Sequence, residues 1–340
     1  IKSSAASDVY KRQQLSLDEC RRLARENYPE IRQYDLVHQT EQYNLSNAAR
    51  AWIPQLAFSA QATWQTDAPN FPKELTGMLA QQGLEIPGLR KDQYKVALEL
   101  NQTIWDGGKS VADKRIARAE AAEQKTMTDV DLYELEGRVD DLYFGILLLD
   151  ERIAQTNLTL NLLRSNLEKV RALQRNGVAM QSDADVLEAE LLSVGQQLIQ
   201  FESSCDSYRR MLGIFIGQRV GDRKLQRPSA VQPLSGESAR PELAMFAAKI
   251  DRLTAQEKMV KSSSMPRLGF FAQGYYGYPG LDYMQSMMNN DWSWNAMLGV
   301  KLSWNFGAYY TQKNNLNKLR TSRQQVEVQR DVFLLSLIHI

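Results

Sequence analysis

Little in this chain stands out by excess, and the shortages exclude several classes. The 41 basic side chains are almost balanced by 40 acidic ones, so there is no basic surplus of the kind that nucleic-acid binders carry. Two cysteines are too few for a disulfide framework. With only two histidines beside them, a four-ligand zinc site would need carboxylates as well. The longest apolar run, Ile146 to Leu149 just after Tyr143 and Phe144, is far short of the ~20 residues of a transmembrane helix. With 24% charged and 43% hydrophobic residues, composition alone reads as a folded, water-soluble globular chain. No cofactor, metal or nucleic-acid partner is expected from it.

The two ends differ in character from the middle. The chain starts at Ile1 and shows no apolar signal-peptide core in its first thirty residues. Residues 3–13 (SSAASDVYKRQ) and 335–340 (LSLIHI) resemble translated cloning-adapter sequence. Residues 1–14 and 335–340 are therefore expected to be tails, and missing targeting information carries no weight.

The strongest signal is an internal repeat, which is sought before anything else. Asn27-Tyr28-Pro29-Glu30-Ile31 is echoed by Ala239-Arg240-Pro241-Glu242-Leu243, and Pro54-Gln55-Leu56-Ala57-Phe58 by Pro266-Arg267-Leu268-Gly269-Phe270. Both proline pairs lie 212 positions apart. Between the prolines each copy reads as a helix, because proline is tolerated in a first turn where its missing N–H would have no partner. Ile31, Tyr34, His38, Glu41, Leu45, Ala48 and Trp52 form a seam in the first copy. Leu243, Phe246, Ile250, Leu253, Glu257, Val260 and Ser264 form it in the second. Upstream, Ser16 and Glu19 have the spacing of a capping box for a helix to about Asn27.

After each second proline the apolar period changes from helical to two. Leu56, Phe58, Ala60, Ala62 and Trp64 alternate with Gln55, Ser59, Gln61, Thr63 and Gln65. Tyr94, Val96, Leu98 and Leu100 oppose Lys95, Glu99 and Asn101. The second copy repeats this with Leu268, Phe270, Ala272, Gly274 and Tyr276, then Ala296, Leu298, Val300, Leu302 and Trp304 against Lys301, Ser303 and Asn305. About ten alternating residues suit a barrel strand in a membrane, and Trp64, Tyr94, Tyr276, Tyr278 and Trp304 sit where interface girdles would. A half-buried soluble hairpin alternates in the same way, so that reading stays open. The connections 66–92 and 277–292 are too long for tight turns and read as loops rich in proline and glycine.

Asp106-Gly107-Gly108 then opens a very long helix. From Leu135 a seam runs through Val139, Leu142, Ile146, Leu149, Ile153, Thr156, Leu160, Leu163, Leu167 and Val170 without slip, which is coiled-coil packing. Asn176-Gly177 ends it. A return helix carries Ala184, Leu187, Leu191, Val194, Leu198, Phe201, Cys205, Tyr208 and Leu212. At 1.5 Å per residue the first arm is about 100 Å long, far beyond an ordinary domain, so lateral assembly with other copies is expected.

Chemistry is sparse. His38 stands at the repeat position of Ile250 and reads as a packing or interface residue. Gly108-Lys109-Ser110 imitates the end of a phosphate-binding loop, but its first glycine would be Thr103, so it is rejected. Asp183 and Asp185 read as solvated caps, and Cys205 as a small hydrophobe on the seam. Cys20 has no apolar run before it and is no lipid-anchor site. No nucleophile with a base is visible, and no enzymatic activity is expected.

The layout resembles the TolC family of outer-membrane channel proteins. The motifs that carry it are Leu15-x-Leu17-x-Glu19 with Asn27-Tyr28-Pro29-Glu30, Pro54-Gln55-Leu56, Ile104-Trp105-Asp106-Gly107-Gly108, Gly177 to Asp185-Val186-Leu187-x-Ala189-Glu190, and Arg240-Pro241-Glu242-Leu243. The resemblance spans about residues 15–334. It implies an α+β membrane protein, with long α-helical coiled-coil hairpins in a periplasmic α-barrel. It also implies β-hairpins that close, in a homotrimer, a twelve-stranded outer-membrane β-barrel. It implies a passive export conduit for efflux or type I secretion, working with a periplasmic adaptor and an inner-membrane pump. Tip residues Arg175, Gly177, Val178, Ala179 and Ser182 would then dock the adaptor. Gln61, Lys95, Glu99 and Lys301 would face the lumen. Leu56, Phe58, Leu98, Leu100, Leu268, Phe270, Val300 and Leu302 would face lipid. The expected organisation is a first repeat at 15–217, with β-hairpin 54–106 and helical hairpin 108–217, and a linker at 218–239. An incomplete second repeat at 240–334 follows, with β-hairpin 266–306 and the start of a long helix. Against the family pattern, the second helical hairpin, with the acidic constriction it carries there, is missing. A soluble coiled-coil scaffold with small hairpins is the rival reading, and it would pack Leu56, Phe58, Leu98 and Leu100 against its own helices. An enzyme with a helical accessory domain is the other.

Overall fold

In a computed structural model of the chain, residues 14–228 and 240–338 are described. The elements in order are α1 (Leu17–Asn27), a 3₁₀ turn (Pro29–Arg32), α2 (Gln33–Arg50), β1 (Gln55–Trp64), α3 (Lys73–Gln81), β2 (Asp92–Trp105), α4 (Lys109–Arg175), α5 (Gln181–Ile216), α6 (Pro241–Ser262), β3 (Arg267–Tyr278), α7 (Tyr283–Asn289), β4 (Ser293–Ser303) and α8 (Ala308–Ile338). They form two compact units, each built from two chain segments: Ile1–Val37 with Gln124–Met245, and His38–Glu123 with Phe246–Ile340. Division by sequence repeat thus cuts across the division by packing. The boundary between the units falls inside α4, between Glu123 and Gln124.

The first unit is organised around α1, α4 and α5. Ser16 caps α1, its hydroxyl accepting from the Glu19 N–H at 3.2 Å. Cys20 and Ala24 on α1 bury against Leu135, Val139, Tyr143 and Ile146 of α4, with Cys205, Leu212 and Ile216 of α5 completing the cluster. Arg21 grips Asp140 with two hydrogen bonds, the Nε one at 2.7 Å. The Asn27 amide donates to the last-turn carbonyls of α5, Ile214 and Phe215, at 3.3 and 3.1 Å, adding to the Gly217 N–H that already reaches the Ile214 carbonyl. Every residue of the predicted α4 seam from Leu135 to Val170 is buried or half-buried. On α5 the seam holds except at Tyr208, which is exposed.

Two expectations change in this unit. The segment predicted as a linker is not a spacer over 218–228. Val220 and Leu225 are buried, and Leu225 forms a parallel bridge with Leu15. The Tyr143 hydroxyl lies 2.7 Å from the Leu15 carbonyl and 2.6 Å from that of Gln226, able to donate to one at a time. Leu15 on one segment and Val220 and Leu225 on the other are isolated apolar residues among polar ones, and pairing the segments buries all three. Residues 229–239 of that linker, with Ala239 of the repeat motif, lie outside the described residues. So do 1–13 of the first tail. Cys205 also differs from a plain hydrophobe. Its thiol lies 3.4 Å from Asp150 Oδ1 and accepts from Arg209 Nε at 3.3 Å, inside the Arg209–Asp150 ion pair (2.8 Å). Burial raises its pKa first, and Arg209 opposes that.

The second unit contains a four-stranded antiparallel sheet in the order β1-β2-β3-β4. The register pairs Leu56 with Leu100, Phe58 with Leu98, Gln61 with Lys95, Glu99 with Gln273, Phe270 with Val300 and Leu268 with Leu302. The connections expected as loops each hold a short helix, α3 and α7. Tyr278 joins them, its hydroxyl accepting from the Arg90 N–H at 2.8 Å and donating to Asn290. This buried role, at 3% exposure, removes Tyr278 from the predicted girdle. Asp106 makes the turn from β2 into α4. Its carboxylate accepts from the N–H groups of Gly108 (2.9 Å) and Ser110 (2.7 Å). Gly107 and Gly108 both adopt φ values, +71° and +86°, that only glycine takes readily. A carboxylate seated on those N–H groups leaves no place for a phosphate there. Helix α6 packs with Arg252 on Glu123, Phe246 on the Phe333 ring at 5.9 Å and Glu257 on Arg323 at 3.2 Å. Residues 335–338 of the predicted tail continue α8, which runs to Ile338. His339 lies outside the described residues.

Candidate channel wall and docking tip

Because side chains alternate along a strand, residues paired across antiparallel strands share a face. The register therefore sorts the sheet into two surfaces. One carries Leu56 and Phe58 of β1, Leu98 and Leu100 of β2, Leu268 and Phe270 of β3, and Val300 and Leu302 of β4. All eight predicted lipid-facing positions fall there. Leu56, Phe58, Leu98, Val300 and Leu302 are exposed, and Leu100, Leu268 and Phe270 are half-buried on the central strands. Leu298 and Trp294 on the same face are 76% and 81% exposed. Among the described residues no helix covers this surface, as a soluble scaffold would require. A contiguous apolar patch of this kind marks an interaction or membrane surface rather than ordinary solvent-facing protein.

The aromatic residues of that face gather at its two ends. Near the α3 and α7 connections, Tyr94 stacks on Trp292 at 5.6 Å, and Tyr276 lies 5.1 Å from Trp294. At the opposite end Trp304 packs on Phe306 at 4.7 Å, and the Trp304 indole donates to the Ser264 carbonyl at 3.0 Å. Two aromatic bands with an aliphatic zone between them match the profile of a membrane barrel wall.

The opposite face brings together Gln61, Lys95, Glu99 and Lys301 by the same alternation. Lys95 donates to Gln273 at 3.3 Å, and the Gln273 amide donates to Glu99. This relay spreads a positive and a negative charge across β2 and β3. Two aromatics on this face escaped the sequence reading. Tyr275 is buried, with Lys95 Nζ 4.6 Å above its ring. Phe271 lies opposite Asn101 and Gly299. The signal was present in Phe270-Phe271, since two adjacent strand residues cannot share a face.

The helical hairpin ends in a compact tip. Val178 N–H donates to the Leu173 carbonyl and Gly177 N–H to that of Gln174, both at 2.9 Å. This is a Schellman ending, with Gly177 at φ +76°. Met180 N–H donates to Asp183 at 3.0 Å, so Asp183 caps the return helix. Arg171 with Glu188 and Gln174 with Gln181 brace the two arms. Arg175, Gly177, Val178 and Ser182 are exposed and Ala179 is half-buried. Val178 and Met180 are each 74% exposed. His38, by contrast, is exposed and touches Gln42 and Glu41 of its own helix.

The family profile described as outer membrane efflux protein matches residues 21–217. The chain belongs to that family. The family is one of efflux proteins of the outer membrane and is not an enzyme family. Among solved structures, the chain is similar to the outer-membrane protein VceC of Vibrio cholerae. The TM-score is 0.66 at 15% identity, covering 95% of this chain and 76% of VceC. It is similar to the outer-membrane channel OprN (TM-score 0.67, 14% identity, 94% and 71% covered). It is also similar to the outer-membrane channel CmeC of Campylobacter jejuni (0.63, 15%, 95% and 68%). No curated protein matches its sequence. At these identities the likeness is one of fold: long helical hairpins joined to antiparallel strands. That is the α+β architecture the motif order implied.

Proposed function

We propose that this chain is one subunit of a homotrimeric export conduit, passive and without chemistry of its own. One observation carries the reading. Among the described residues, a four-stranded sheet has an apolar face that nothing covers, and its outer strands β1 and β4 are paired on one side only. Unpaired strand edges cannot stand in lipid, and closure into a barrel removes them. Three copies of this sheet supply twelve strands, with Leu56, Phe58, Leu98, Leu100, Leu268, Phe270, Val300 and Leu302 toward lipid. Gln61, Lys95, Glu99 and Lys301 then line the water-filled side, where polar groups and pore width set selectivity.

In this reading the helical hairpin extends into the periplasm. Its tip meets a periplasmic adaptor that links it to an inner-membrane pump. Val178 supplies an exposed apolar knob, Gly177 the close turn, and Arg175 and Ser182 polar contacts at its rim. The repeat boundaries 15–217 and 240–334 describe how such a subunit is built twice from one plan.

Reconstitution into planar bilayers, with the oligomer mass measured in parallel, tests the proposal. A trimer with ohmic conductance is the expected result. A water-soluble monomer without conductance overturns it.

A further inference from the structure

On the polar face of the sheet, near the Asp106 turn, lies a cleft of about 630 Å³ lined by residues of all four strands, the start of α4 and Ala51. That volume is in the range that encloses small organic ligands. The strand register explains why space exists there. Going down β3 and β4 on this face, the pairs are Gln273–Met297, Phe271–Gly299, Gly269–Lys301 and Arg267–Ser303. Glycine takes one side of two successive pairs, so side-chain volume is missing where a sheet face is normally filled. A Cβ at Gly299 would stand 2.9 Å from two carbons of the Phe271 ring. The ring therefore lies against bare backbone and forms the apolar floor of the cleft.

The charges around that floor are unevenly committed. Asp113 is held by Lys109 at 2.7 Å. Asp106 is engaged by the N–H groups of Gly108 and Ser110. Glu99 is bonded by the Gln273 amide. Arg267 and Lys301 are exposed and, among the described residues, neither has an ion-pair partner. Lys301 is the diagonal neighbour of Phe271 across β3 and β4, within reach of anything resting on the ring. A flat apolar floor beside two cations without ion-pair partners, on the strands that carry the Phe271 ring, is complementary to a ring that carries a negative charge.

We propose that this cleft is a transient binding site for small aromatic anions, ring-bearing carboxylates or sulfonates. The ring packs on Phe271, and the anion takes charge-assisted hydrogen bonds from Lys301 and Arg267. The role of a transit station rests on the conduit reading above. Conduction requires a site that releases its occupant, so the dissociation constant is on the order of 1 mM.

The test uses the full chain in lipid nanodiscs. Binding of 2-naphthoate and of 2-naphthylmethylammonium is read by saturation-transfer NMR against empty discs. The anion is expected to bind at least about fivefold more tightly than the cation. Phe271→Leu, and the double change Arg267→Gln with Lys301→Gln, each weaken the anion about fivefold or more, while Gln61→Ala, outside the cleft, changes nothing. Equal binding of both probes, or variants that bind as the parent does, overturns the site. Bilayer conductance on the same preparations separates the two proposals. Conductance without selective binding removes the site alone. Selective binding without conductance removes the transit role and leaves the site.

Discussion

Helices α2 and α6 are copies of one sequence plan, and the chain treats them differently. Helix α2 has no buried residue, whereas α6 buries Phe246, Ala248, Leu253, Ala255 and Ser262. Their seams match position for position: Tyr34 with Phe246, His38 with Ile250, Glu41 with Leu253. The second copy is apolar where the first is polar or amphipathic, because α6 has Phe333, Arg323 and Glu123 packed around it. A repeat thus conserves the helix and its register, while each copy's neighbours decide how much of the seam is closed within the chain. On the conduit reading, the open copy is closed by another subunit.

The comparison breaks most visibly with a buried charge. Leu253→Glu places on α6 the residue type that α2 carries at Glu41. Leu253 is 6% exposed, so the change is expected to cost more than about 4 kcal/mol in urea denaturation. Tyr43→Glu on α2, at a residue 66% exposed, is expected to leave chain stability within about 0.5 kcal/mol. It shifts the oligomer mass toward monomer. Equal losses at both sites would mean that the two helices are packed alike.

A second contrast concerns the residues that precede α4 and α8. Asp106 opens the first, and Asn305 stands at the equivalent place before the second. Burial pushes the Asp106 carboxyl up. The Ser110 hydroxyl and the N–H groups of Ser110 and Gly108 outweigh it and hold the pKa below the ordinary carboxylate value. A depressed folded pKa stabilises above the unfolded value near pH 4 and loses that contribution as pH falls through the folded value. Asp106→Ala is expected to flatten this acid limb and cost about 1–2 kcal/mol at neutral pH. Asn305 carries no titrating group, so Asn305→Ala leaves the acid limb as it is. Melting curves across pH 2–7 separate the two.

A further contrast lies between the helix-end glycines. Gly177→Ala forces a Cβ into φ +76°, but no atom lies within 4 Å of it. The cost is therefore conformational alone, about 1 kcal/mol. The same change at Gly107 meets Met265 Cβ at 2.7 Å and is expected to cost more. Thermal denaturation of both variants ranks them.

Much of the architecture was legible because its causes are local. Ser16 and Glu19 mark a cap, Gly177 a helix end, and the run from Leu135 to Val170 a seam, each within a few residues of chain. The face of Gln61, Lys95, Glu99 and Lys301 was legible too, since strand alternation needs no partner to be read. The closing of 218–228 onto Leu15 was not, because the bridge from Leu15 to Leu225 spans two hundred residues. Nor was the buried role of Tyr278, whose partners Arg90 and Asn290 come from two different connections.

By itself the sequence determined period, register within each element, and the faces that must be apolar or polar. Those follow from backbone geometry, which every stretch of chain carries with it. Only the tertiary structure decided which apolar seam is filled from within, as on α6. It alone decided which stays open, as on α2 and the Leu56–Phe58 face. It also decided where two glycines on neighbouring strands meet to hollow out a cleft. Burial and space belong to pairs of distant elements, and no local pattern encodes the partner.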